Sequence, residues 1–237
     1  MNKKGELTSK QIVTIVILVV SFSVILIFFF ALNLKGQVSD DACRNSVELA
    51  SSPIFGAFVK LNCETRYVCL SSGGDCQIQT KDTETIKISS DDFQNGNEEL
   101  FLNLAELTRD CYWKMGGGQA DLKGRCVICS VVEFDDKIKS LSSLSKEEFF
   151  KYMERTRIIG QEKSYLDYLY KTQTAEIYRA MQGARANTAN WQFGKIDVSK
   201  QQMVVYSYKS GDTFLGIGDF DALKLQGLEC DEFSSRA

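Results

Sequence analysis

Two cysteines stand three residues apart in "KGRCVICSVVEF", Cys126 and Cys129. That spacing suits a redox dithiol, half of a metal site, or two half-cystines of separate bridges. A redox dithiol needs one exposed thiol of lowered pKa, usually at a helix N-terminus whose dipole stabilises the thiolate. Here Ser-Val-Val-Glu-Phe follows Cys129, and such a run favours a strand. Along an extended strand, residues three apart face opposite sides, so each cysteine should reach a different partner. A zinc site normally adds a second Cys-x-x-Cys or a histidine pair. The chain has no histidine and no second such motif. Structural disulfides are therefore the expectation and no metal is expected. An extracytoplasmic thiol–disulfide oxidoreductase using Cys126 and Cys129 is the alternative.

Other chemistry is sparse. Lack of histidine removes the commonest general base and the Ser-His and Cys-His nucleophile systems. Carboxylates remain in "EFDD" (Glu133 to Asp136) and "GDFD" (Gly218 to Asp221), and these read as solvated strand ends. The loop "SSDDFQNGNEE" fails the calcium-loop spacing: counted from Asp91, position three is Phe93 and position twelve is Leu102. "GGGQADLKG" lacks the G-x-x-x-x-G-K-[ST] pattern of a phosphate loop. No catalytic residue is assigned, and no cofactor is expected.

What positions these residues begins with an apolar block. From Ile12 to Leu34 the chain carries no charge, a length that matches the ~30 Å hydrocarbon layer of a bilayer. The expectation is a transmembrane helix over 12–34. Lys3, Lys4 and Lys10 precede it against Glu6 alone, which places residues 1–11 in the cytoplasm and the remainder outside. All eight cysteines (Cys43, Cys63, Cys69, Cys76, Cys111, Cys126, Cys129 and Cys230) follow the block. An even number confined to one side reads as a disulfide framework in an oxidising space. Residues 1–35 hold four lysines and one glutamate, leaving 24 basic and 30 acidic residues beyond, a net charge of −6. That balance disfavours nucleic acid as a partner. The partners expected are a lipid bilayer and either an unknown protein or further copies of the chain.

The N-terminal run "KKGELTSKQIVTIVILVV" resembles the prepilin-like (class III) signal of archaeal pilins and related surface proteins. In that family a peptidase cuts after the glycine and leaves the apolar helix in place. The resemblance implies cleavage between Gly5 and Glu6, and a pilin-like subunit whose helix packs in a filament. Bacterial type IV pilins carry glutamate at the fifth mature position, where this chain has Lys10. The remainder is similar to membrane-anchored proteins of small-genome archaea, which implies no activity.

The fold class expected is α+β: a single N-terminal transmembrane helix plus one disulfide-braced mixed α/β extracytoplasmic domain with antiparallel strands. Residues 35–62 read as a stalk helix and connection, with Leu34, Val38, Ala42, Asn45 and Leu49 on one face, and residues 63–237 as the domain. In "CETRYVCLSSGGDCQIQT", two β-prone runs flank a turn. A hairpin there sets Cys69 opposite Cys76 and predicts a bridge between them. From Asn97 to Met115 the pattern is helical, with Leu100, Leu104, Leu107, Cys111 and Met115 on the apolar face and Asn97 as the cap. "SLSKEEFFKYMERT" opens with a capping box, Ser145 to Glu148. "EKSYLDYLYKTQTAEIYRAMQGA" reads as a helix with Tyr165, Leu169, Ile177, Tyr178 and Met181 inward. "KQQMVVYSYKSG" and "TFLGIGDF" read as strands. The protein is accordingly read as a membrane-anchored extracytoplasmic protein of structural or interaction type.

Overall fold

A computed structural model describes residues 9–31, 35–54, 59–78, 80, 82–94, 96–122, 124–140, 144–170, 195–209, 212–219, 221, 223 and 232–234. The chain divides into two compact units, Met1–Ser39 and Asp40–Ala237.

The first unit holds α1 (Ser9–Ala31). Here the sequence reading is corrected. Among the described residues no helix is long and apolar enough to cross a membrane. The transmembrane helix expected over 12–34 is therefore not found among the described residues.

The second unit begins earlier than the expected boundary at Cys63. Helix α2 (Lys35–Ala50) buries Cys43, Val47 and Ala50 there, whereas Leu49 is 54% exposed. The buried face is thus one turn-step around from the stripe read in the sequence. Several contacts fasten it. Cys43 is bonded to Cys63, Lys114 Nζ lies 2.5 Å from Asp40 Oδ1, and the Arg44 guanidinium sits 4.6 Å from the Trp113 ring centre.

A six-stranded mixed sheet organises this unit. Its strands are β1 (Arg66–Ser71), β2 (Glu84–Lys87), β3 (Arg125–Phe134), β6 (Gln202–Lys209), β7 (Asp212–Gly218) and β8 (Glu232–Ser234). The order is β2-β1-β3-β6-β7. β1 runs parallel to both β2 and β3, and β8 runs parallel to β3. Only the β3–β6 and β6–β7 pairs are antiparallel, so the sheet departs from the antiparallel one expected. The cause is the segment after β1. It does not double back as a hairpin, and Cys76 lies in a loop while β1 pairs elsewhere. One edge of β3 is shared, with β8 against Arg125–Val127 and β1 against Ser130–Phe134. β4 (Leu144–Ser145) and β5 (Lys195–Ile196) form a small separate pair.

Helix α3 (Glu98–Lys114) lies across β3, β6 and β7. Leu100, Leu104, Leu107, Cys111 and Met115 are all buried in the main core, as their spacing requires. Its N-terminus differs from expectation. Asn97 stands at φ 60° and makes no side-chain cap. Asp92 in the 3-10 turn Ser90–Gln94 does the capping, accepting from Glu99 N at 2.8 Å and Leu100 N at 3.1 Å. The helix ends where Gly116, Gly117 and Gly118 all take positive φ. At Gly118 an added Cβ would fall 2.6 Å from the Tyr112 ring, so this turn needs glycine for both conformation and space.

Helices α5 (Lys146–Arg155) and α6 (Tyr165–Tyr170) pack on α3. Ring centres of Phe101 and Phe149 are 5.6 Å apart, and those of Tyr112 and Tyr168 are 5.4 Å apart. Ser145 Oγ accepts from Glu148 N at 3.3 Å, the expected cap of α5. Tyr165 and Leu169 are buried; Ile177, Tyr178 and Met181 lie outside the described residues.

Candidate functional site

The chemistry-bearing residues are best followed along β3. Its register against β6 shifts between Ile128 and Ser130, so Cys129 is the extra residue of a β-bulge. Cys129 lies on the same face as Val127, the α3 side, where it bonds Cys111 with the two Cα atoms 5.5 Å apart. Cys126 lies on the other face with Val205 and Leu223 and is disulfide-bonded as well. The Cys-x-x-Cys residues therefore belong to two different bridges, on opposite sides of the sheet. Cys230, Gly5 and Glu6 lie outside the described residues. Among the described residues no cysteine is a free thiol, and no group of His, Cys, Asp or Glu is placed to hold a metal ion.

Functional geometry gathers instead at the C-terminal ends of the parallel strands β1 and β3, where open α/β sheets commonly bind ligands. Two carboxylates read in the sequence as solvated strand ends are buried here, Glu133 at 4% and Asp135 at 0% exposure. Both organise the loop that follows β1. Asp135 Oδ2 accepts from Ser72 N and Gly74 N, each at 2.7 Å, and its Oδ1 accepts from Ile138 N at 2.8 Å. The last bond caps the short helix α4 (Asp136–Lys139). Ser71 Oγ lies 2.7 Å from Gly74 O and 3.1 Å from Asp135 Oδ2. Burial alone would raise the Asp135 pKa. The N–H donors of Ile138, Gly74 and Ser72, with the Ser71 hydroxyl, outweigh it and hold the group below the usual carboxylate range. Glu133 Oε2 accepts from Ile78 N at 2.7 Å, and its Oε1 is 3.3 Å from Lys139 Nζ. The signal missed in the sequence is the Asp-Asp-Lys-Ile-Lys run: an aspartate one residue before a short helix is a capping position.

The loop so held carries the Cys69–Cys76 bridge, with Cα atoms 5.9 Å apart. The pairing is the one expected, but the hairpin invoked for it is absent. Beside the bridge lies a cleft of about 270 Å³ whose walls include Cys69, Cys76, Thr80, Thr83 and Thr85. Thr85 is the register partner of Cys69 on β2. Thr80 and Thr83 hydroxyl oxygens are 2.7 Å apart.

A second polar array spans α3. Arg66 on β1 contacts Glu84 at 2.6 Å and Asp110 at 3.2 Å. Arg109 contacts Asp110 at 2.9 Å and Glu106 at 2.6 Å. Glu106 also accepts from the Tyr165 hydroxyl. Burial, then donation to that carboxylate, raises the Tyr165 pKa. Signs alternate along the array, so each charge sits between opposites, which suits bracing of α3 to β1 and α6. Near the start of α5, Lys146 is buried; burial lowers its pKa, and Asp219 opposes that.

Comparisons with known proteins returned no match to a family model, to a curated protein or to a solved structure.

Proposed function

We propose that the chain is an extracytoplasmic protein of structural or interaction type, and that copies assemble through α1 in the manner of a pilin-like subunit. Oxidised cysteines throughout the described part of the second unit support an oxidising compartment. The observation that carries the assembly is the surface of α1. Val13, Ile15, Val16, Ile17, Leu18, Val19, Val20, Phe22 and Val24 are each more than half exposed. At 100° per residue they occupy every side of the helix. Ser23 donates its hydroxyl to Val19 O at 2.8 Å, so even this polar side chain spends its proton within the helix.

An apolar stripe would dock in one groove of a partner, but a helix apolar all round needs neighbours on all sides. Covering a valine, isoleucine, leucine or phenylalanine is worth about 1.5–3 kcal/mol each. A bundle of identical helices supplies that cover without any further partner.

Sedimentation of the full chain tests the reading. The wild type is expected to sediment as an oligomer, and the double variant Val16→Asp with Val20→Asp as a folded monomer. A wild type that stays monomeric in plain buffer, or that enters lipid vesicles as single copies, overturns the assembly.

A further inference from the structure

We infer that the Cys69–Cys76 bridge is a thiol–disulfide exchange site, taking electrons from a dithiol that enters the adjacent cleft. Three observations converge on it. The first is access. Cys43, Cys63, Cys111 and Cys129 are each 3% exposed or less, so neither of their bridges offers a sulfur to solvent. Cys76 is partly exposed, and both Cys69 and Cys76 line the cleft. Exchange requires a thiolate to reach one sulfur of the bridge, and here Cys76 is the sulfur within reach.

The second observation is that hydrogen bonds hold the loop alongside the bridge. Asp135 holds Ser72 and Gly74, Ser71 Oγ accepts from Gly73 N at 3.1 Å, and Glu133 holds Ile78. These bonds bracket Cys76 on both sides. Opening the bridge therefore leaves the two thiols close together and ready to re-form it. A bridge that alone held its loop would lose its partner on reduction.

The third observation concerns the released sulfur. Cys69 is the buried member at 4% exposure, and it stands beside Thr85 on the neighbouring strand. Thr80, Thr83 and Thr85 line the same cleft as Cys69, so the wall beside the released sulfur is polar.

A thiolate of the dithiol attacks Cys76 Sγ, forming a mixed disulfide and breaking the Cys69–Cys76 bond. The electron pair leaves on Cys69 Sγ, which takes a proton. The second thiol of the dithiol, deprotonated, then attacks its own partner's sulfur in the mixed disulfide and expels Cys76 as thiolate, which is protonated in turn. Two electrons and two protons pass to the cysteine pair, and the dithiol becomes a disulfide.

The test is differential alkylation of the native full chain during exposure to dithiothreitol, with peptide mass mapping over time. Loss of the Cys69–Cys76 bridge should run at least about a hundredfold faster than loss of Cys111–Cys129, because the buried pair waits for global opening. Circular dichroism should stay unchanged while Cys69 and Cys76 are labelled. In a second measurement, Cys69→Ser leaves Cys76 reduced, and oxidised glutathione should trap it as a mixed disulfide. Simultaneous reduction of all bridges on unfolding, or a Cys69–Cys76 bridge that outlasts Cys111–Cys129, overturns the proposal. The wild-type kinetics decide it whether or not the variant folds, and they are independent of assembly through α1.

Discussion

Cys111–Cys129 and Cys69–Cys76 each tie a strand of the sheet to a different kind of neighbour. The first joins β3 to α3 through the centre of the core. The second joins β1 to a loop on the other side, at the wall of a cleft. Their loops close over 18 and 7 residues of separation, and chain entropy changes only slowly with such lengths. What separates them is what else does the same job. Around Cys129 the bridge sits at a bulge in the packed core, and among the described residues no side-chain hydrogen bond ties β3 to α3 in its place. Around Cys76 backbone hydrogen bonds to Asp135 and Glu133 make it redundant.

The sharpest way to break that contrast is to delete the core bridge. Cys111→Ala with Cys129→Ala should cost about 4 kcal/mol, combining lost loop closure with a cavity under α3. Denaturant unfolding measures it. A loss no greater than that of the matching Cys69→Ala, Cys76→Ala variant would erase the distinction.

Much of the framework of this contrast was legible in the residues themselves. Leu100, Leu104, Leu107, Cys111 and Met115 recur at helical spacing, and one buried stripe is the only way α3 can use them. The β-prone runs of β6 and β7, and the Ser145 cap, are likewise local. The site was less legible because its signals are long-range. Asp135 and Glu133 look like surface carboxylates until the loop after β1 folds over them from more than fifty residues away. The parallel pairing of β1 with β2 and β3 was hidden for the same reason: a short Ser-Ser-Gly-Gly turn suggests a hairpin, and tertiary pairing overrides it. At α2 the stripe was misread because, among the described residues, it is Cys43, Val47 and Ala50 that meet the core while Leu49 is exposed.

The next largest effect should come from Asp135. Asp135→Ala strips three backbone N–H groups of their acceptor, with an expected cost of about 3 kcal/mol, since each buried donor left unpaired is worth ~1–3. Freed from its anchor, the loop should make Cys76 react faster with dithiothreitol while Cys111–Cys129 is unaffected. The depressed pKa adds a pH signature. In the unfolded chain this carboxylate takes up its proton first, near ~3.9. Its contribution is therefore fully present above that pH and is lost as pH falls through the lower native value. Urea midpoints between pH 2 and 6 should show a steeper acid loss in the wild type than in Asp135→Asn.

Glu133→Gln is the mildest probe and the most discriminating. Glutamine keeps an oxygen that can accept from Ile78 N, so the loop retains its geometry. It surrenders the charge facing Lys139, 3.3 Å away, and swaps one acceptor for an amide N–H donor in a site that is 4% exposed. The expected cost is about 1 kcal/mol, which lowers the melting temperature by ~2–4 °C for a unit of this size. A shift confined to stability, with the reduction rate of Cys69–Cys76 unchanged, would mean that the charge facing Lys139 braces α4 while the amide oxygen keeps its grip on Ile78. A faster reduction with Cys111–Cys129 still protected would mean that the grip on Ile78 needs the full carboxylate and sets how far Cys76 opens to the cleft. The first outcome is the one expected, because Ile78 N, two residues from Cys76, keeps an oxygen acceptor in the variant.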